Sequence, residues 1–231
     1  MAEYFWMEVL SMETLESIKT KYSTRAFKPT PVPKGVINKI LQAVSNTSSY
    51  TNTQPWEVAV VCGKKKDELS KIILELARVK APTNPDLPMP KNWLPEHEAR
   101  SGEHGARRLA TLGIERGDEA GREKLRLMNF EFYGAPCAVF LFIDGILGEW
   151  SIFDAGLFAQ NLILAAHSLG VESVLQASVT NYAPEIKKFL GIPESKKLVI
   201  SIPLGYPDDK AELNTYRSLK QKPEEFTRWY E

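Results

Sequence analysis

The sequence predicts a single mixed domain of helices and strands that carries one long insertion. Three observations support this. Short apolar runs of strand length recur along the chain, amphipathic stretches with a period near 3.6 separate them, and the composition breaks sharply once, between Ala81 and Arg126. At 231 residues the chain has the length of one such domain and can bury a large core without staples.

Ser11 is positioned to cap a first helix with Met12, Leu15, Ile18 and Tyr22 on its apolar face. The segment at its end, Lys21-Tyr22-Ser23-Thr24-Arg25-Ala26-Phe27, gathers cations and hydroxyls. It is either an anion-receiving cluster or a solvated helix end. Pro29, Pro31 and Pro33 stiffen the link to a second helix with Val36, Ile37, Ile40, Leu41 and Val44 on one face. Asn52-Thr53-Gln54-Pro55-Trp56 then sets two carboxamides, a hydroxyl and an indole at the mouth of a buried strand, Glu57 to Cys62. Pro55 fixes φ and removes a donor, and loops on a rigid scaffold concentrate binding groups. The alternative is a polar loop whose Asn and Gln bond their own backbone.

Asp67 to Val79 is an amphipathic helix through Leu69, Ile72, Ile73 and Leu76. Pro82, Pro85, Pro88, Pro90 and Pro95 crowd the start of the insertion at about 81–126, and a charged run from Glu96 to Lys124 fills the rest. The insertion reads as a proline-stiffened arm with one or two exposed helices, docked through Trp93 and Leu94. It is a lid, a partner-wrapping arm or a plain surface excursion.

Gly134-Ala135-Pro136 opens the most hydrophobic strand, Cys137 to Ile143. Asp154 to Leu169 is a helix apolar nearly all round and therefore expected to be buried; Gln160 and Asn161 inside it need partners. Val171 to Leu175 is a short strand leading into Gln176-Ala177-Ser178. Asn181 to Leu190 is a small helix stopped by Gly191. Leu198 to Leu204 is the last core strand, closed by Gly205-Tyr206-Pro207. The tail, 208–231, is polar apart from Phe226, Trp229 and Tyr230, which call for a surface to cover, a second subunit among the candidates.

Composition and motifs exclude several chemistries. Basic and acidic residues both number 29, so no global field points to nucleic acid or an anionic membrane. Cys62 and Cys137 sit in apolar runs, where cysteine behaves as a small hydrophobe, and they make no secreted disulfide framework. The start has no basic n-region, and no apolar run reaches the ~20 residues of a membrane span, so a cytoplasmic location is expected. His97, His104 and His167 lack metal-ligand spacing, and His167 reads as a satisfied core histidine. A nucleophile elbow, a P-loop and a dinucleotide glycine fingerprint are all absent from the sequence. The chemistry left is that of a bound cofactor.

The order Lys21-Tyr22-Ser23-Thr24-Arg25-Ala26-Phe27, Asn52-Thr53-Gln54-Pro55-Trp56, Gly134-Ala135-Pro136, Gln160-Asn161-Leu162 and Gly205-Tyr206-Pro207 resembles the nitroreductase family of FMN-dependent oxidoreductases. The resemblance implies an α+β fold: a mixed central sheet flanked by helices, in an intertwined homodimer with flavin sites at the interface. It also implies that the tail at 208–231 wraps the partner, and that the whole chain is one FMN-binding domain.

Carried over by position, Lys21, Tyr22, Ser23 and Arg25 match the family's R-R-S-x-R segment, which holds the FMN phosphate with its first basic residue and the pyrimidine edge with its last. Tyr22 replaces the second basic residue, so part of the usual arginine clamp is missing. Ser48, Ser49, Tyr50 and Asn52, with Gln54 beside them, match the P-S-S-x-N loop that reaches the flavin of the opposite subunit. Leu175, Gln176, Ala177 and Ser178 match the loop facing N5 and O4, and Arg217 and Lys220 match basic residues near the phosphate. Glu131 stands where close relatives carry a cation before G-A-P, and Asn129 is the ring contact expected there.

The implied activity is ping-pong transfer of a hydride through flavin N5, from NADH or NADPH to nitroaromatics, quinones or related electron-poor acceptors. No catalytic side chain and no metal are required. The alternatives are a specialised flavoenzyme of the same fold (a reductive dehalogenase, an enone reductase or a flavin-fragmenting enzyme) and a non-catalytic flavin-binding module.

Overall fold

The computed structural model describes residues 13–231. Ser11 and Met12, expected to open the first helix, lie outside the described residues. Helix α1 (Thr14–Thr20) ends at the basic segment, and α2 (Lys34–Val44) follows the prolines. Strand β1 (Trp56–Cys62) runs directly into α3 (Gly63–Arg78). The charged stretch supplies α4 (Pro95–Thr111) and α5 (Glu119–Leu127), with Pro95 in the first turn of α4 and Asp118 capping α5 by accepting a bond from the Gly121 N–H. Strand β2 (Cys137–Asp144), α6 (Glu149–Ser168), the short β3 (Glu172–Ser173), α7 (Ala183–Leu190), β4 (Lys196–Gly205) and α8 (Pro223–Phe226) complete the chain.

The sheet order is β1-β2-β4-β3, and every ladder is antiparallel. A parallel bridge between Ser23 and Ser173 extends the sheet past its β3 edge. Strand β2 is covered on both faces, which is why it reads as an unbroken apolar run. The pleat sends Ala138, Phe140 and Phe142 to a core shared with Leu69, Ile73 and Ile186. It sends Val139, Leu141 and Ile143 to a core shared with Ile40, Phe158 and Leu162. The result is an α+β fold with the sheet as its middle layer.

The structure departs from the sequence reading at five places. Strand β1, expected to be buried, fully buries only Val61 and is half-buried or exposed at its other positions. Cys62 and Cys137 are direct partners in the β1–β2 register, 4.2 Å apart at Cα, and form a disulfide rather than packing as separate thiols. Helix α6 is not buried all round: Trp150, Phe153 and Leu157 form an exposed stripe at helical spacing. Of its two amides, Asn161 finds a partner by donating to the Thr47 hydroxyl at 2.9 Å. The arm does not dock through Trp93 and Leu94, which are 53% and 59% exposed. Instead Asp86 takes the Lys187 ammonium at 3.0 Å and the Leu198 N–H at 2.8 Å. Last, the strand expected over Val171 to Leu175 shrinks to Glu172–Ser173, because the backbone breaks away and rejoins β4 through Gln176, whose N–H donates to the Ser201 carbonyl.

Candidate functional site

Residues 21–28 form an extended segment stitched to the sheet at both ends. The Thr24 N–H donates to the Ser173 carbonyl at 3.1 Å, and the Lys28 N–H to the Tyr206 carbonyl at 2.8 Å. Between them Asn214, from the tail, accepts from the Arg25 and Ala26 N–H groups and donates to the Ala26 carbonyl. Phe27 is the buried anchor. A Cβ at Gly205 would meet it at 2.9 Å and Pro136 at 2.7 Å, so the Gly134-Ala135-Pro136 and Gly205-Tyr206-Pro207 segments meet on this one ring. Their glycine and proline shape the backing of the site and touch none of its chemistry.

In front of that backing lies a cleft of about 1040 Å³ whose walls include Lys21, Tyr22, Ser23, Arg25, Arg217 and Lys220. Six of the sequence-predicted residues therefore converge. Burial lowers the Lys21 ammonium pKa from its usual value; Glu172 opposes the shift, and Arg25 and Lys220 add to it. Arg25 is lowered by burial, with Tyr133 opposing and Arg108 adding to the shift. Glu172 is the nearby carboxylate, but its Oε1 is already held by His167 Nδ1 at 2.6 Å. The cluster therefore carries excess positive charge around an open volume, the arrangement an anionic group neutralises. Opposite Glu172, His167 also bonds the Thr20 hydroxyl at 2.8 Å, so it is the satisfied buried histidine the sequence suggested.

The remaining predicted residues lie in two other places. Asn129 and Ser178 line a neighbouring cavity of about 700 Å³. The Asn129 amide is engaged there, accepting from the Tyr133 hydroxyl and donating to the Arg126 carbonyl, while its backbone carbonyl takes the Gln176 side-chain N–H. That leaves the buried Gln176 Oε1 without a partner among the described residues. Leu175, Ala177 and Ser178 are exposed beside it.

Ser48, Ser49, Tyr50, Asn52 and Gln54 do not reach the cleft within this chain; their loop sits at the start of α6. Its Tyr50 N–H donates to the Asp154 carboxylate at 3.1 Å, Ser49 accepts the Gln54 N–H, and Tyr50 stacks on Trp150 at 5.6 Å. Thr51, Asn52 and Gln54 all take positive φ, at 47°, 60° and 47°. For the β-branched Thr51 this is strained backbone.

Sequence reasoning missed His104 and Arg108 on α4, and Asn214 and Tyr216 in the tail. His104 lines the cleft and pairs with the Tyr216 hydroxyl at 3.0 Å; burial lowers its pKa, and Arg108, Arg25 and Lys220 push the same way. His104 and Arg108 are spaced i, i+4 on one helix, a signal legible once that helix is recognised.

The family whose sequence profile matches this chain is the Nitroreductase family, over residues 18–206. A 4-nitrobenzoate reductase of Pseudomonas putida is 32% identical over 210 residues, covering 91% of this chain and 92% of the relative. Nitroreductase NfnB of Mycolicibacterium smegmatis is 32% identical over 213 residues, 92% of this chain and 90% of its own. The crystal structure of the FMN-dependent nitroreductase NfnB from Mycobacterium smegmatis in complex with NADPH superposes with a TM-score of 0.89 at 30% identity. It covers 93% of this chain and 96% of that one.

Proposed function

Since this chain belongs to the nitroreductase family and is an FMN-dependent NAD(P)H oxidoreductase, we propose that it reduces nitroaromatic, quinone or related electron-poor acceptors by a ping-pong route. The observation that carries the reading is the convergence of Lys21, Ser23, Arg25, Arg217 and Lys220 on one cleft, where the nearby carboxylate of Glu172 is shared with His167. These residues fit FMN: a phosphate supplies the negative charge the cluster lacks, and the 1040 Å³ cleft adjoins the cavity lined by Asn129 and Ser178, where the edge of the ring would lie. Bound there, FMN supplies the hydride-accepting and hydride-donating position, N5.

The chain's own groups then bind, orient and tune. Lys21, Ser23, Arg217 and Lys220 hold the phosphate. Arg25, fixed from behind by Asn214, faces the pyrimidine edge, where a cation favours the negative charge that accompanies reduction. The Leu175 to Ser178 loop, with Asn129 behind it, would supply backbone groups to the N5 and O4 edge. No side chain moves a proton in this scheme.

The reading includes a homodimer. Leu15 and Ile18 on α1, Trp150 and Phe153 on α6, and Phe226, Trp229 and Tyr230 in the tail all expose more than half their surface. A second copy that covers them also brings its Ser48 to Gln54 loop to this cleft, in line with that loop's distance from its own. NADH or NADPH serves as donor, and the location is cytoplasmic.

Anaerobic titration tests the reading. The purified protein is expected to be yellow, to bleach with NADPH or NADH and to recover colour with 4-nitrobenzoate or a benzoquinone. Initial rates are expected to give parallel double-reciprocal lines. A colourless protein that refuses added FMN would sink the assignment, and intersecting lines would remove the ping-pong route.

A further inference from the structure

Helix α4 belongs to none of the segments that carry the family resemblance, yet it forms a wall common to both cavities. His104 faces the phosphate-side cleft, and one turn on, Arg108 lines the neighbouring cavity with Asn129 and Ser178, the ring-side residues. The Arg108 Nε is buried and has no hydrogen-bond partner among the described residues. Its charge reaches Arg25, Tyr133 and His104, lowering both cations and opposing the burial-driven rise of the Tyr133 phenol. A partly buried guanidinium set beside a second one, with a donor unspent, is unfavourable unless an electron-rich group comes between them. Glu131, the charged residue just before Gly134-Ala135-Pro136, is exposed and lines neither cavity.

We propose that Arg108, supplied by the insertion, is a second cation beside Arg25 at the pyrimidine edge of the flavin, and that it sets how readily the bound ring accepts electrons. The proposal rests on the FMN reading above. The sign follows from charge: a cation beside a ring that becomes more negative on reduction binds the reduced form more tightly than the oxidised one.

The test compares wild type with Arg108→Gln, Arg108→Lys and Arg116→Gln by spectroscopic redox titration of the bound flavin, together with the Kd for oxidised FMN. Arg116 lines the same cavity but is exposed, so its variant removes one charge from the region without removing the proposed contact. Arg108→Gln is expected to weaken reduced-FMN binding about tenfold more than oxidised-FMN binding, equivalent to a midpoint about 30 mV more negative. Arg108→Lys retains most of the wild-type potential and Arg116→Gln all of it. Helix α4 contains no buried residue, so the variants should fold, and circular dichroism checks this.

An unchanged midpoint in Arg108→Gln overturns the proposal. So does equal weakening of oxidised and reduced FMN, which would make Arg108 a phosphate contact, and so does a raised KM for carboxylate-bearing acceptors alone. Equal shifts in Arg108→Gln and Arg116→Gln also overturn it, leaving only a diffuse field. Wild-type protein that binds no FMN defeats the flavin reading itself, and the proposal with it.

Discussion

The Arg217 guanidinium lies 3.6 Å above the centre of the Tyr22 ring. By the family resemblance Tyr22 stands where a second basic residue is expected, and its ring here carries a cation instead of being one. The lost cation is answered by an aromatic platform that orients one from the tail, while Arg217 also donates to the Asn214 and Tyr216 carbonyls. A stacked pair of this kind contributes about 0.5–1 kcal/mol where exposed and about 2 kcal/mol where desolvated.

Tyr22→Leu is therefore expected to raise the Kd for FMN about fivefold, the equivalent of about 1 kcal/mol. Tyr22→Phe keeps the ring face and should bind as wild type does. Quenching of FMN fluorescence measures both. If the two variants weaken binding equally, the hydroxyl matters and the platform does not.

Asp86 fastens the start of the insertion by accepting from the Lys187 ammonium, whose side chain is 3% exposed, and from the Leu198 N–H. Glu194 is a further partner of Lys187, at 3.5 Å and largely in solvent. Removing Asp86 strands a buried cation, which costs about 3 kcal/mol. Asp86→Ala should lower thermal stability markedly, and adding Lys187→Met should recover much of the loss. Should the double variant be no more stable than Asp86→Ala, the stranded charge is not the cause.

The tail divides at Gln221. Before it, Asn214, Tyr216, Arg217 and Lys220 serve the cleft; beyond it, Phe226, Trp229 and Tyr230 expose 67%, 84% and 87% of their surface. Truncation after Gln221 should therefore weaken the dimer while leaving the cleft's own residues in place. Light scattering over a dilution series is expected to show dissociation at concentrations where the full chain stays paired. A truncated protein that dimerises as tightly as the full chain would show that those aromatics cover no partner.

How far the sequence could be read follows from what each signal reports. Strand β2 was legible because burial on both faces leaves no polar position to interrupt the run. The convergence of Lys21 to Arg25 with Arg217 and Lys220 became legible through the order of motifs, since nothing local connects the tail to the first helix. The apolar stripe of α6 was misread because hydropathy shows which residues leave water but not which surface covers them. The Cys62–Cys137 disulfide depends on the β1–β2 register, which the apolar run of β2, buried on both faces, does not specify by itself. Arg108 and His104 were lost in a run of charges whose helical period carries no apolar face to reveal it.

Lys21 gives the cleft a pH dependence whose sign follows from its surroundings. Burial, aided by Arg25 and Lys220 against Glu172, places its pKa below the usual 10.5. Between the folded and unfolded values the unfolded chain holds more protons, so this group adds stability to the flavin-free protein as pH rises there. Anion binding runs the other way. A phosphate favours the ammonium and raises its pKa, so above the flavin-free value FMN must bring a proton with it and affinity falls with pH. The loss should begin below 10.5, and Lys21→Arg, which stays charged throughout, should flatten it. Titration of the FMN Kd upward from about pH 7 reads the difference. If wild type and Lys21→Arg lose affinity in parallel, Lys21 does not hold the phosphate, and the anchoring falls to Arg217 and Lys220.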